Sequence, residues 1–191
     1  MGAWNGWFHI QGHTYGTWLR GDARGWRARN HREHIDGDYK SPPPAGLYGA
    51  LRKRSKELMK QSAVRLNPPQ RCIAGRAMIE TLLAIGVQVI AVSVSALHFH
   101  LLARFPSTNV RGLAGQAKRR SSWVLGSHGL PGTVWAKRCG VLPIKNRSHQ
   151  VNVFRYILAH AGEGAWVWSF RERLCWLSDQ DCRGADGHAC E

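Results

Sequence analysis

The chain has 191 residues, 43% of them hydrophobic, enough for one domain with a real core. Lys and Arg number 27 against 12 Asp and Glu, a formal charge of +15, and such an excess attracts polyanions, nucleic acid first among them. From Thr81 through Gly162 there is no Asp or Glu, which excludes a nuclease holding two metals with carboxylates in this stretch and leaves histidine as the main metal ligand there.

The opening "MGAWNGWFHI" lacks a charged region followed by an apolar run, so no secretory signal is expected. "HTYGTWLRGD" (13–22), aromatic and β-branched up to Gly21, predicts a first strand. Residues 23–46, rich in Arg, His, Gly and Pro, predict an exposed loop. A basic helix is expected over 47–66 from the spacing of Leu47, Leu51, Leu58 and Val64. "NPPQ" breaks it, and Pro69 opens the next helix, which ends near Gly86.

The apolar run from Leu82 to Leu102 approaches the roughly 20 residues of a membrane span. Gly86 and Gln88 interrupt it, however, and Ser93 and Ser95 alternate with Val92 and Val94, so it predicts two strands, 87–95 and 97–105, and no membrane partner. A basic helix follows over 110–126, then a strand and extended turn over 133–145. Residues 147–164 predict a helix with an apolar stripe of Val153, Phe154, Ile157, Leu158 and Ala161. On its other side His149, Asn152, Tyr156, His160 and Glu163 recur at steps of three and four. Residues 169–191 predict a loose tail. The five cysteines, Cys72, Cys139, Cys175, Cys182 and Cys190, form no C-x-x-C, so free thiols in a reducing compartment are expected. Cys175, Cys182, His188 and Cys190 match no common zinc spacing.

Chemistry concentrates in "SALHFHLLARF". In a strand, residues i and i+2 share a face, so His98 and His100 present their imidazoles side by side while Phe99 points away. Such a pair either binds one divalent ion or forms a half-buried hydrogen-bonded pair. Among four tyrosines, Tyr156 alone lies on a polar helix face with a potential ligand, His160, one turn away. A phenol, with pKa about 10, becomes a useful nucleophile when a metal polarises the phosphate it attacks and cationic side chains stabilise the developing charge. An interface tyrosine at the edge of a core is the alternative. Trp123 and Trp135, beside basic residues, could stack unpaired bases; core packing is expected for Trp135, Trp166 and Trp168.

"LHFHLLARFP" followed by "VFRYILAHAGEGAWV" resembles the HUH single-tyrosine transposases, and within them the REP-associated tyrosine transposases. That family carries His-hydrophobe-His on a strand and Y-I-x-x-N-P on a later helix, and "VWAKRCGVLPI" is similar to its W-Q-x-R-F-type strand. The resemblance, over about residues 12–168, implies one transposase-like domain (1–168), α+β, with a ferredoxin-like antiparallel sheet, helices on one face and the tyrosine on a C-terminal helix. It implies transesterification on single-stranded or hairpin DNA: Tyr156 becomes linked to the 5′ phosphate and releases a 3′ hydroxyl, with Mg²⁺ or Mn²⁺ held by His98, His100 and His160. DNA contacts are expected from Lys118, Arg119, Arg120, Lys137, Arg138 and Arg155, in a monomer or homodimer in the bacterial cytoplasm, at the nucleoid when bound. His160 stands where the family has Asn or Gln, Ala161 where it has Pro, and the turn before the His pair lacks proline; an all-imidazole set would favour softer ions such as Mn²⁺. The competing expectation is a non-catalytic relative that only binds structured single-stranded DNA or RNA. A basic RNA-binding protein unrelated to transposases would leave the three-part constellation to coincidence.

Overall fold

A computed structural model describes residues 2–24, 26, 44 and 46–172. Its elements run β1 (Trp7–His13), α1 (Gly49–Glu57), α2 (Pro68–Ala84), β2 (Gln88–Val94), β3 (His98–Arg104), α3 (Val110–Ser127), β4 (Gly140–Pro143), α4 (Arg147–Ala159) and β5 (Trp166–Ser169). The chain is α+β, with a five-stranded antiparallel sheet in the order β4-β1-β3-β2-β5. The first four strands of that order have the connectivity of a ferredoxin-like βαββαβ unit, and β5 extends it beyond β2. Two compact units divide the chain: Met1–Thr14 with Arg65–Glu191, and Tyr15–Val64.

In the larger unit, β3 is buried along nearly its whole length and needs cover on both faces. Phe99 packs edge-on to Trp135, whose indole N–H donates to Ser121 of α3, while Trp166 lies against Gly75 of α2. α2 and α3 therefore cover the Phe99 face. The opposite face carries Leu102 and Ala91, which form a cluster with Ile144 and with Val153 and Ile157 of α4. Helices on one face were implied by the resemblance; they lie on both, because Leu102 and Ala91 make the second face apolar too. Gly12 shows how closely the first face is packed: a Cβ there would stand 2.4 Å from the Phe99 ring.

Asn67 caps α2, accepting from the Gln70 amide while the Gln70 side chain accepts from the Asn67 amide, with Pro68 as the first helical residue. The strand expected at 13–22 is instead β1 at Trp7–His13, where Trp7, His9, Gln11 and His13 alternate with Phe8, Ile10 and Gly12. Beyond it Thr14 makes only an isolated bridge to Trp135. Over 133–145 the strand is confined to β4. Cys72 is disulfide-bonded, against the free thiol expected, and Cys139 is free. Among the described residues no helix is long and apolar enough to cross a membrane.

In the smaller unit α1 is shorter than the helix expected over 47–66, because Leu47 and Leu58, two residues of its supposed stripe, are exposed and find no core. Gly16 and Gly21 take positive φ and turn the chain where strand was expected. Gly16 packs against Met59 and Ala63, Tyr15 Oη accepts from the Lys60 amide, and Trp26 meets Tyr48 edge-on. Most of the 23–46 loop and the tail beyond Glu172, with its cysteines and His188, lie outside the described residues.

Candidate metal and tyrosine site

Register builds the site. β1 and β3 pair antiparallel with Gln11 opposite His100 and His13 opposite His98, so His9, His13, His98 and His100 share the sheet face that α4 covers. On α4 the buried positions Gln150, Val153 and Ile157 form a stripe that continues into His160. There the helix tightens into a 3₁₀ turn, His160–Glu163, closed by Gly164 at φ +75°. His160 is thus 6% exposed, although its spacing placed it on the polar side, while Tyr156, one turn earlier, is 48% exposed.

His98, His100, His160 and Tyr156 come together. His100 and His160 stack at 4.8 Å between ring centroids, with planes 7° apart, and His98 lies 5.1 Å from His100 and 5.4 Å from His160. Tyr156 sits 4.8 Å from the His160 ring, and its Oη is 3.5 Å from His100 Nε2. Each of the three histidines offers a ring nitrogen, and these atoms all lie within 4.8 Å of one another.

The three rings are anchored alike. Nδ1 of His98 meets Ser95 Oγ at 2.9 Å, Nδ1 of His100 meets His9 Nε2 at 3.0 Å, and Nδ1 of His160 meets Glu163 Oε2 at 2.9 Å. With each Nδ1 engaged, Nε2 is the nitrogen available to a ligand. The Nε2 of His160 is buried without a hydrogen-bond partner. A buried polar atom left so costs about 1–3 kcal/mol, a cost that a bound cation would remove. Burial, followed by the neighbouring imidazoles, pushes His100 down to about 2 and His9 down to about 4, and burial lowers His98 as well. Metal ligation requires neutral imidazole, so His98 and His100 are ready to ligate without first losing a proton. The donor set and its orphaned nitrogen fit a divalent ion.

The basic residues separate into two groups. Arg119, Arg120, Lys137, Arg138 and Arg155 are exposed. Lys118, expected among the DNA contacts, is instead buried, its ammonium donating to the carbonyls of Ala136 (2.6 Å) and Lys137 (3.3 Å). It ties the segment before β4 to α3 and presents no charge to a ligand. Trp123 is 65% exposed with the Arg120 guanidinium 4.3 Å over its ring, whereas Trp135 and Trp168 are buried.

Reasoning from the sequence missed His9, His13 and Ser95 as parts of this cluster. His13 lies 6.4 Å from His98 between centroids. The alternation Trp7, His9, Gln11, His13 was the available signal. No protein-family model matches the chain, and no curated protein matches it. Among solved structures it is similar to a REP-associated tyrosine transposase bound to a REP hairpin, with a TM-score of 0.47 and 13% identity over 84% of this chain and 69% of that one.

Proposed function

We propose that this protein is a metal-dependent single-stranded DNA transesterase of the HUH single-tyrosine transposase type, with Tyr156 as nucleophile. The observation that supports the reading most is the half-exposed Tyr156, its hydroxyl beside three converging imidazoles, one carrying an orphaned buried nitrogen. His98, His100 and His160 would hold a divalent ion, which when bound withdraws charge from a phosphate and makes its phosphorus electrophilic. Three imidazoles favour a first-row transition ion over Mg²⁺.

Tyr156 Oη attacks a phosphodiester in single-stranded or hairpin DNA. The Oη–P bond forms, the bond from phosphorus to the 3′ oxygen breaks, and that oxygen leaves as a 3′ hydroxyl after taking a proton. Tyr156 is 48% exposed, so water can carry its proton away, while the buried His9 and His100 rings lie against its inner side, 6.1 and 5.1 Å from it between centroids. Attack by a 3′ hydroxyl on the phosphotyrosine reverses the step and rejoins the strands. Arg155, next to Tyr156, and the exposed Lys137 and Arg138 supply cations for the DNA backbone. Such a reaction on chromosomal DNA would take place in the bacterial cytoplasm.

The test is incubation with a library of single-stranded hairpin DNAs and Mn²⁺ or Mg²⁺, with mass spectrometry of any protein–DNA adduct. A nucleotide mapped to Tyr156 is the expected result. Tight binding with no adduct in either ion would select the non-catalytic binder instead.

A further inference from the structure

We propose that His9 is a positioning residue: its Nε2 accepts a hydrogen bond from Nδ1–H of His100 and so fixes the tautomer that turns the lone pair of His100 Nε2 toward His98 and His160. The inference rests on the metal-binding reading above and adds to it a residue of β1.

Both rings are almost fully buried, 7% and 5% exposed, and their nitrogens are 3.0 Å apart. Two neutral imidazoles share one such bond in only one of two ways. If His9 donated, His100 would carry its proton on Nε2 and direct an N–H into the cluster, where it could not ligate. If His9 accepts, Nε2 of His100 keeps its lone pair, and the Tyr156 hydroxyl at 3.5 Å can donate to it. The other two rings support the second arrangement. Ser95, from the β2–β3 turn, holds Nδ1 of His98, and Glu163, from the 3₁₀ turn, holds Nδ1 of His160. A carboxylate can only accept, so Nδ1 of His160 is a protonated nitrogen, and in the neutral ring its orphaned Nε2 bears the lone pair. Three chemically different partners from three parts of the fold thus anchor the same atom of each ring. Partners of this kind orient metal-binding histidines and raise their basicity.

The experiment reads the tautomer directly, by long-range ¹H–¹⁵N NMR of the metal-free protein at neutral pH, alongside Mn²⁺ titration by calorimetry. In the wild type His100 should be protonated on Nδ1 and bare on Nε2. His9→Phe keeps a ring of similar size but removes the acceptor. It should move the proton of His100 partly or wholly to Nε2 and weaken Mn²⁺ binding about 10- to 100-fold. His9→Gln, whose amide oxygen can accept, should restore the wild-type tautomer and most of the affinity. Protonation of His100 on Nε2 in the wild type would overturn the proposal, as would an unchanged tautomer in His9→Phe. If the wild type binds no divalent ion, the metal reading fails by that result, and the NMR spectrum still decides the role of His9. If His9→Phe does not fold, the wild-type and His9→Gln spectra carry the decision.

Discussion

The buried imidazoles tie the stability of this fold to pH, and the size of the effect follows from two groups. In the folded chain burial holds His9 at about 4 and His100 at about 2, below the ordinary 6.5. Below pH 6.5 the unfolded chain therefore binds more protons than the folded one, and stability falls as pH falls. The contribution is complete above about pH 6.5 and drains away toward about 4 for His9 and further down for His100. At pH 5 each group costs about 2 kcal/mol relative to pH 7.5, since each unit of pKa difference is worth ~1.4 kcal/mol. Two such groups remove up to ~4 kcal/mol, a large share of the ~5–15 kcal/mol a domain possesses. Urea denaturation at pH 7.5, 6 and 5 measures it, with His9→Gln as the partner experiment. The variant should lose less stability between pH 7.5 and 5 than the wild type, by about 2 kcal/mol. Parallel pH profiles for the two proteins would refute the reasoning.

Other expectations are as direct. His160→Ala removes one of three ring nitrogens, so the thermal stabilisation that Mn²⁺ gives the wild type, about 2.7 kcal/mol at a hundredfold excess over Kd, should disappear; an equal shift in both would exclude His160 as a ligand. If five exposed cations contact phosphates, affinity for single-stranded DNA should fall about 100-fold between 50 and 200 mM salt, from a slope of roughly −0.7 per contact. Lys118→Met should leave that slope unchanged, and a shallower slope in the variant would restore Lys118 to the DNA contacts. Gly12→Ala should destabilise the fold by about 1–3 kcal/mol in urea, because its methyl meets a Phe99 ring already held against Trp135.

Part of the fold and of the site is legible in the amino-acid sequence. His98-Phe99-His100 sits in a strand whose alternation with β-branched neighbours is plain, and the spacing of Tyr156 and His160 survives the change from α to 3₁₀ winding. The fold class is legible for the same reason. β1 is not, because β propensity is high at Thr14, Tyr15, Thr17 and Trp18, while Gly16 and Gly21 turn the chain at positive φ. A strand placed there hides His9 and His13, whose partners lie some ninety residues away. Lys118 is a different case. Val110, Ala114, Ala117, Lys118, Ser121 and Leu125 are all buried on α3, so helical period assigns Lys118 to the inner stripe, where charge alone suggests a surface.

The central claim is that Tyr156 joins covalently to DNA. It is tested most directly with a hairpin-bearing single strand labelled at its 3′ end, incubated with Mn²⁺ and resolved under denaturing conditions. The wild type should retain the label on the protein, because the linkage is to the 5′ phosphate of the downstream strand. Tyr156→Phe removes one oxygen from a half-exposed side chain, so it should fold and bind the same DNA with little change yet give no labelled protein and no cleavage. Cleavage by Tyr156→Phe at the wild-type rate would contradict the account, since another nucleophile would then be breaking the strand.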